Sequence, residues 1–159
     1  MDKEERTRRQ FCRQTCTAAG LAALGGALLQ ACGGGSPTSS GGGTNAPALP
    51  RIAGTVAGGA IQVTIDAASP LAATGSAALV TSAAANVLVA RTAADAFTAL
   101  TATCTHEGCA ITGFSGQSYV CPCHGSQFDT AGRVLNGPAT RSLRSYQTQF
   151  ASGVLTITA

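Results

Sequence analysis

The chain reads as an all-β sandwich or small barrel, and three observations point there. Beyond residue 50 the apolar residues fall in short runs rich in β-branched side chains. Gly, Asn, Asp or Pro bounds each run, and no segment in this part carries a convincing helical period. Short strands at turn-punctuated intervals are what sandwiches and barrels are built from. In chain order, Ile61-Gln62-Val63-Thr64-Ile65 alternates strictly, as a strand with one buried face does. The Ala-rich run 67–85 has no clear period and stays unassigned. Asn86-Val87-Leu88-Val89-Ala90-Arg91 reads as a more buried strand, and 97–103, 117–120 and 143–150 add three more. Val154-Leu155-Thr156-Ile157 closes the set with a less clean alternation.

Size and composition bound the rest. With 159 residues, 20 Gly, 45% hydrophobic but only 4% aromatic residues, there is room for one thin core and no second catalytic domain. Thin cores often need staples, and seven Cys with two His could supply them. The net charge of +3 resides mostly at the N-terminus. From residue 32 onward Arg51, Arg91, Arg133, Arg141 and Arg144 face Asp66, Asp95, Glu107 and Asp129, five against four. No sustained basic face exists, which excludes nucleic-acid binding.

Three segments follow. Residues 1–31 form an export signal or anchor: Thr7-Arg8-Arg9-Gln10-Phe11 precedes an apolar run and resembles a twin-arginine signal, a receptor-read address. Leu29-Gln30-Ala31-Cys32 resembles a lipobox, which implies that Cys32 is lipid-modified. An uncleaved membrane helix is the alternative, and the apolar stretch of about 15 to 17 residues is at or below the length a span needs. Either device tethers the protein. Residues 32–50 are a Gly/Ser/Pro-rich flexible linker; about 17 such residues reach roughly 20 to 25 Å. Residues 51–159 hold the β domain.

The chemistry lies in two loops, Cys104-Thr105-His106-Glu107-Gly108-Cys109 and Cys121-Pro122-Cys123-His124-Gly125-Ser126. Each offers a thiolate and an imidazole, spaced C-x-H and C-x-x-H. A zinc site of two Cys and two His would suit the same donors. The joint pattern, however, closely resembles the Rieske [2Fe-2S] family over both loops, in its disulfide-containing subclass, which includes the bc-complex and arsenite-oxidase small subunits. On the zinc reading, the 14 residues between His106 and Cys121, the second Cys in each loop, Pro122, Gly125 and the export signal are all coincidence. The resemblance implies a small antiparallel barrel with a cluster-binding subdomain formed by the two loops. It further implies that Cys104 and Cys121 bind one iron of a [2Fe-2S] cluster, that His106 and His124 bind the other, and that Cys109 and Cys123 form a disulfide. An exported chain suits that bond.

Two neutral imidazoles in place of two thiolates leave the oxidised site neutral and the reduced site at minus one, which makes reduction easier. Rieske potentials accordingly lie at about −150 to +300 mV, against about −400 mV for plant-type ferredoxins. By resemblance the Ser126 hydroxyl reaches a bridging sulfide, and Gly137 and Pro138 belong to a loop covering the cluster. Phe128 stands where high-potential members carry a tyrosine, so a potential below that of quinol-oxidising members but above that of dioxygenase-type ones is expected. Glu107 stands where bc-complex members usually present leucine, and a carboxylate there disfavours entry into an apolar quinol pocket.

The expected function is extracytoplasmic one-electron transfer, either free-standing or as the small subunit of an oxidoreductase. The protein is tethered to a bacterial membrane, and its donor and acceptor are redox proteins such as a c-type cytochrome, a molybdopterin subunit or cytochrome b. A quinol-oxidising bc-type subunit with an uncleaved helix is the alternative; a redox-inert zinc domain is the third reading. A terminal oxygenase would need a further 2-His-1-carboxylate iron site, and the two histidines are already committed. No catalytic residues are expected.

Overall fold

The structure, a computed structural model, describes residues 45–158. The twin-arginine motif and Cys32 lie outside them. Twelve strands and no helix make up the described residues, so nothing among them is long and apolar enough to cross a membrane as a helix. In chain order they are β1 (Arg51–Ala53), β2 (Thr55–Ala57), β3 (Ala60–Thr64), β4 (Ala77–Thr81), β5 (Asn86–Ala93), β6 (Ala96–Thr101), β7 (Gly113–Ser115), β8 (Ser118–Val120), β9 (Gln127–Asp129), β10 (Val134–Asn136), β11 (Ser145–Ala151) and β12 (Val154–Thr158).

Eight strands form one sheet in the order β1-β4-β5-β6-β11-β12-β3-β2. Its two edges, β1 and β2, are separated only by Gly54, so a single stretch of chain nearly closes the sheet into a barrel. A Cβ at Gly54 would approach Ile61 Cγ2 to 2.7 Å and Val80 Cγ1 to 2.9 Å, which is why the seam takes glycine. The β1–β4 pair is parallel and the other pairs are antiparallel.

The barrel interior is filled by Ile61, Val63, Val80, Val87, Val89, Leu155 and Ile157. β4, β5 and β6 also bury their outer face, where Leu79, Leu88 and Leu100 meet Tyr119 and Phe128 of the small sheet. Burial on both faces gives β5 its near-continuous apolar run, whereas β3 keeps the alternation of a strand with one wet face. The same wall explains the unassigned Ala-rich run. It turns until residue 76 and then forms β4, where Ala77 and Ala78 are buried on opposite faces.

The second sheet, β10-β9-β8-β7, consists of three-residue strands. β7 and β8 are joined at Gly116 (φ 56°) and Gln117 (φ 68°), the two positive φ values that a tight type I′ hairpin requires. Loop 104–109 runs into β7 and loop 121–126 leaves β8, so the hairpin delivers both cysteine loops to its open end.

The last residues of the linker segment are docked. The Leu49 N–H donates to the Thr112 carbonyl at 2.7 Å and the Phe114 N–H to the Pro47 carbonyl at 2.9 Å. Leu49 is buried in the same core as Cys104 and Cys121. A Cβ at Gly113 would sit 3.0 Å from Ala46 Cβ, so the glycine admits this strap. The Pro50 carbonyl then accepts the Leu79 N–H at 2.9 Å, which fastens the small sheet to the barrel.

Candidate metal centre

The two loops are built alike. In the first, the Cys104 N–H donates to the Cys109 carbonyl (2.8 Å) and the Gly108 N–H to the Cys104 carbonyl (2.9 Å). In the second, the Cys121 N–H donates to the Ser126 carbonyl (2.9 Å) and the Gly125 N–H to the Cys121 carbonyl (3.1 Å). Gly108 and Gly125 occupy the fifth place of each loop at φ 77°, a left-handed conformation that favours glycine. Both loops therefore start on a buried cysteine and swing a histidine outward.

Cys109 and Cys123 are bonded to each other, with Cα atoms 6.5 Å apart and a sequence separation of 14. Cys104 and Cys121 are free thiols, and both are buried. The sulfurs of Cys109, Cys121 and Cys123 lie within 4.8 Å of one another, but the disulfide leaves only Cys121 able to offer a thiolate from that group. Burial pushes the Cys121 thiol up, and the adjacent Cys104 thiol adds to this; backbone N–H donors of Cys123 and His124 act in the opposite sense. Those N–H groups would serve a bound thiolate well.

His106 and His124 meet edge to face with ring centroids 5.1 Å apart, and 28% and 47% of their side chains are exposed. The Glu107 carboxylate lies 3.8 Å from His106 Nε2 and 3.7 Å from His124 Nδ1, beyond hydrogen-bond length. It stands at the exposed tip between both rings.

A third segment closes the site. The Ala139 N–H donates to the fully buried Ser126 Oγ at 3.0 Å, and Thr105 Oγ1 donates to the Arg141 carbonyl at 2.6 Å. The segment carrying Gly137 and Pro138, whose peptide bond is cis, is thus pinned to both loops. Thr105 was not singled out in the sequence, and its position between Cys104 and His106 is the signal that marks it. Ser126 accepts from Ala139 and keeps its own proton. Phe128 is sealed under the loops, directly opposite Tyr119. The Tyr119 hydroxyl is buried without a partner among the described residues, and an unpaired buried donor costs about 1 to 3 kcal/mol; burial pushes its pKa up, which keeps it a donor.

Two thiols sealed inside, two imidazoles at the surface and an uncommitted buried hydroxyl suit a two-iron group with unlike ends. Comparison with known proteins bears on the same region. Cytochrome b6-f complex iron-sulfur subunits of Prochlorococcus marinus are 56% identical over 45 residues, 28% of this chain and 25% of theirs, and another strain's is 52% identical over 52 residues. The match spans about a quarter of those curated relatives. The plasma membrane Rieske protein PetC3 from Synechocystis PCC 6803 aligns at 32% identity with a TM-score of 0.51, over 61% of this chain and 99% of that one. Residues 62–147, more than half the chain, match the Rieske [2Fe-2S] domain family. With a match of that extent on this topology, the chain belongs to the Rieske family, whose domain binds a [2Fe-2S] cluster for electron transfer.

Proposed function

We propose that the protein passes single electrons outside the cytoplasm, with Cys104 and Cys121 holding one iron and His106 and His124 the other. The observation that carries this is the sorting of the four donors: two free thiols buried side by side, and two imidazoles exposed at one tip. When bound, the cluster takes up and releases one electron at a time. The residues do the rest. Backbone N–H groups of Cys123 and His124 face the Cys121 sulfur, the strap and the barrel wall exclude water, and the imidazole edges face a docking partner.

The tether is the lipid-modified Cys32 behind a twin-arginine signal, and the partners are redox proteins: a c-type cytochrome, a molybdopterin subunit or cytochrome b. The names of the relatives, a plasma membrane protein and subunits of a membrane complex, support a membrane setting. Glu107, 60% exposed between the two imidazoles, argues against a quinol-oxidising role, because an apolar pocket would strip its solvation. Redox titration of the purified full chain with visible absorption tests the reading: a coloured protein with a reversible one-electron midpoint is expected, and a colourless zinc protein would end it. Fatty-acid labelling tests the anchor. Label on the parent chain and none on Cys32→Ser is expected, whereas an unlabelled parent that keeps residues 1–31 favours an uncleaved helix.

A further inference from the structure

Tyr119 is fully buried, and its hydroxyl has no hydrogen-bond partner among the described residues. A phenylalanine would fill the same apolar space without stranding a donor. Its surroundings name the missing acceptor. Tyr119 lies on β8 directly opposite Phe128 on β9, so the two side chains share a face of the small sheet. Cys121 follows two residues later, the spacing that returns a strand to the same face. Tyr119, Phe128, Cys104 and Cys121 belong to one buried cluster, whose other members are aliphatic apart from those cysteines. Among these apolar residues the cysteine sulfurs are the side-chain acceptors a phenol can find, and the buried Ser126 oxygen already accepts from the Ala139 N–H. Neither neutral thiol takes the bond, so the acceptor is the more negative sulfur of the iron-bound site.

We infer that Tyr119 donates its hydroxyl to a sulfur of the bound cluster, either a ligand thiolate or a bridging sulfide, and thereby supplies a tuning hydrogen bond that Phe128 has no group to make. This rests on the ligand assignment proposed above. A hydrogen bond to sulfur favours the reduced, more negative site, so the donor raises the midpoint potential. Tyr119 touches the cofactor in this reading and has no part in protonation chemistry.

Voltammetry and resonance Raman spectroscopy on the loaded full chain test it. For Tyr119→Phe the reduction equilibrium should fall on the order of tenfold, a midpoint drop of about 59 mV for one electron. An iron–sulfur stretching band that shifts in D₂O should lose that shift. The iron-free variant should melt no lower than the iron-free parent, because no bond is lost there; a packing role alone predicts a lower melting point and an unmoved potential. Incorporating 3-fluorotyrosine at position 119 keeps the shape and strengthens the donor, so its midpoint should rise. An unchanged midpoint in a fully loaded Tyr119→Phe overturns the inference and leaves the ligand assignment intact. Should the Phe variant not load, an unmoved midpoint with fluorotyrosine overturns it instead. A parent chain that takes up no cluster overturns both.

Discussion

In the barrel, Val63, Val80, Val87, Val89, Leu155 and Ile157 are sealed against one another, and each such side chain contributes about 1.5 to 3 kcal/mol on burial. In the small sheet the strands are three residues long, and much of the apolar surface beneath them belongs to the barrel wall: Leu79, Leu88 and Leu100. Covalent and backbone fastenings take up the difference, namely the Cys109–Cys123 bond, the strap at 46–50, and the contacts of Ser126 and Thr105 with the segment above them. The contrast teaches why a redox tip can be exposed without loosening the molecule. Its stability comes from cross-links and a borrowed wall, so its end can be left to the proposed ligands.

The largest test of that contrast removes a proposed ligand. Cys104→Ser should abolish the visible absorption and the bound iron while far-UV circular dichroism retains the barrel's strand signal; loss of both would show that the two regions fold as one. Next, Leu155→Ala should cost about 2 to 5 kcal/mol and lower the melting temperature of the whole domain. Removing the disulfide through Cys109→Ser with Cys123→Ser should cost about 3 kcal/mol, the expectation for a closed loop of roughly 15 residues. Hydrogen exchange should place that loss in the small sheet and leave β5 and β12 protected. Leu49→Ala, at about 2 kcal/mol, should speed exchange at the Phe114 amide and spare the barrel; uniform acceleration would mean that the strap supports both regions equally.

The smallest effect is acidic. Asp129 is partly desolvated, which raises its pKa, but the backbone N–H and guanidinium of Arg133 and the N–H of Ala131 outweigh this and hold its carboxyl below the usual range. A depressed folded pKa means stability that is present above the unfolded value of about 3.9 and lost as pH falls through the folded one. Below about pH 4 the β9–β10 turn should lose exchange protection at Ala131 and Arg133, by less than about 1 kcal/mol. Asp129→Asn should erase this pH dependence.

Much of the architecture was legible in the sequence because periodicity records burial. β3 alternates with one wet face, and β5 runs apolar with none. β1, β2, β7, β9 and β10 were not legible, because three residues cannot establish a period, and β8, equally short, was read only within the run 117–120. Leu49 was hidden in a Pro/Ala stretch, since composition does not reveal a backbone pairing with a distant edge. At the site, donor types and spacing expose the loops, and the Cys109–Cys123 bond expected from family resemblance is present. Tyr119 left no such mark: a tyrosine two residues before a cysteine becomes informative only when its hydroxyl is seen buried and unpaired.

The central claim is that two imidazoles and two thiolates from these loops share one two-iron group. Pulsed electron paramagnetic resonance of the reduced full chain tests it most directly. The account predicts strong couplings to two directly coordinated nitrogens, with His106→Cys removing one of them. A spectrum without coordinated nitrogen, or a protein that holds zinc and no paramagnetic centre, would contradict it.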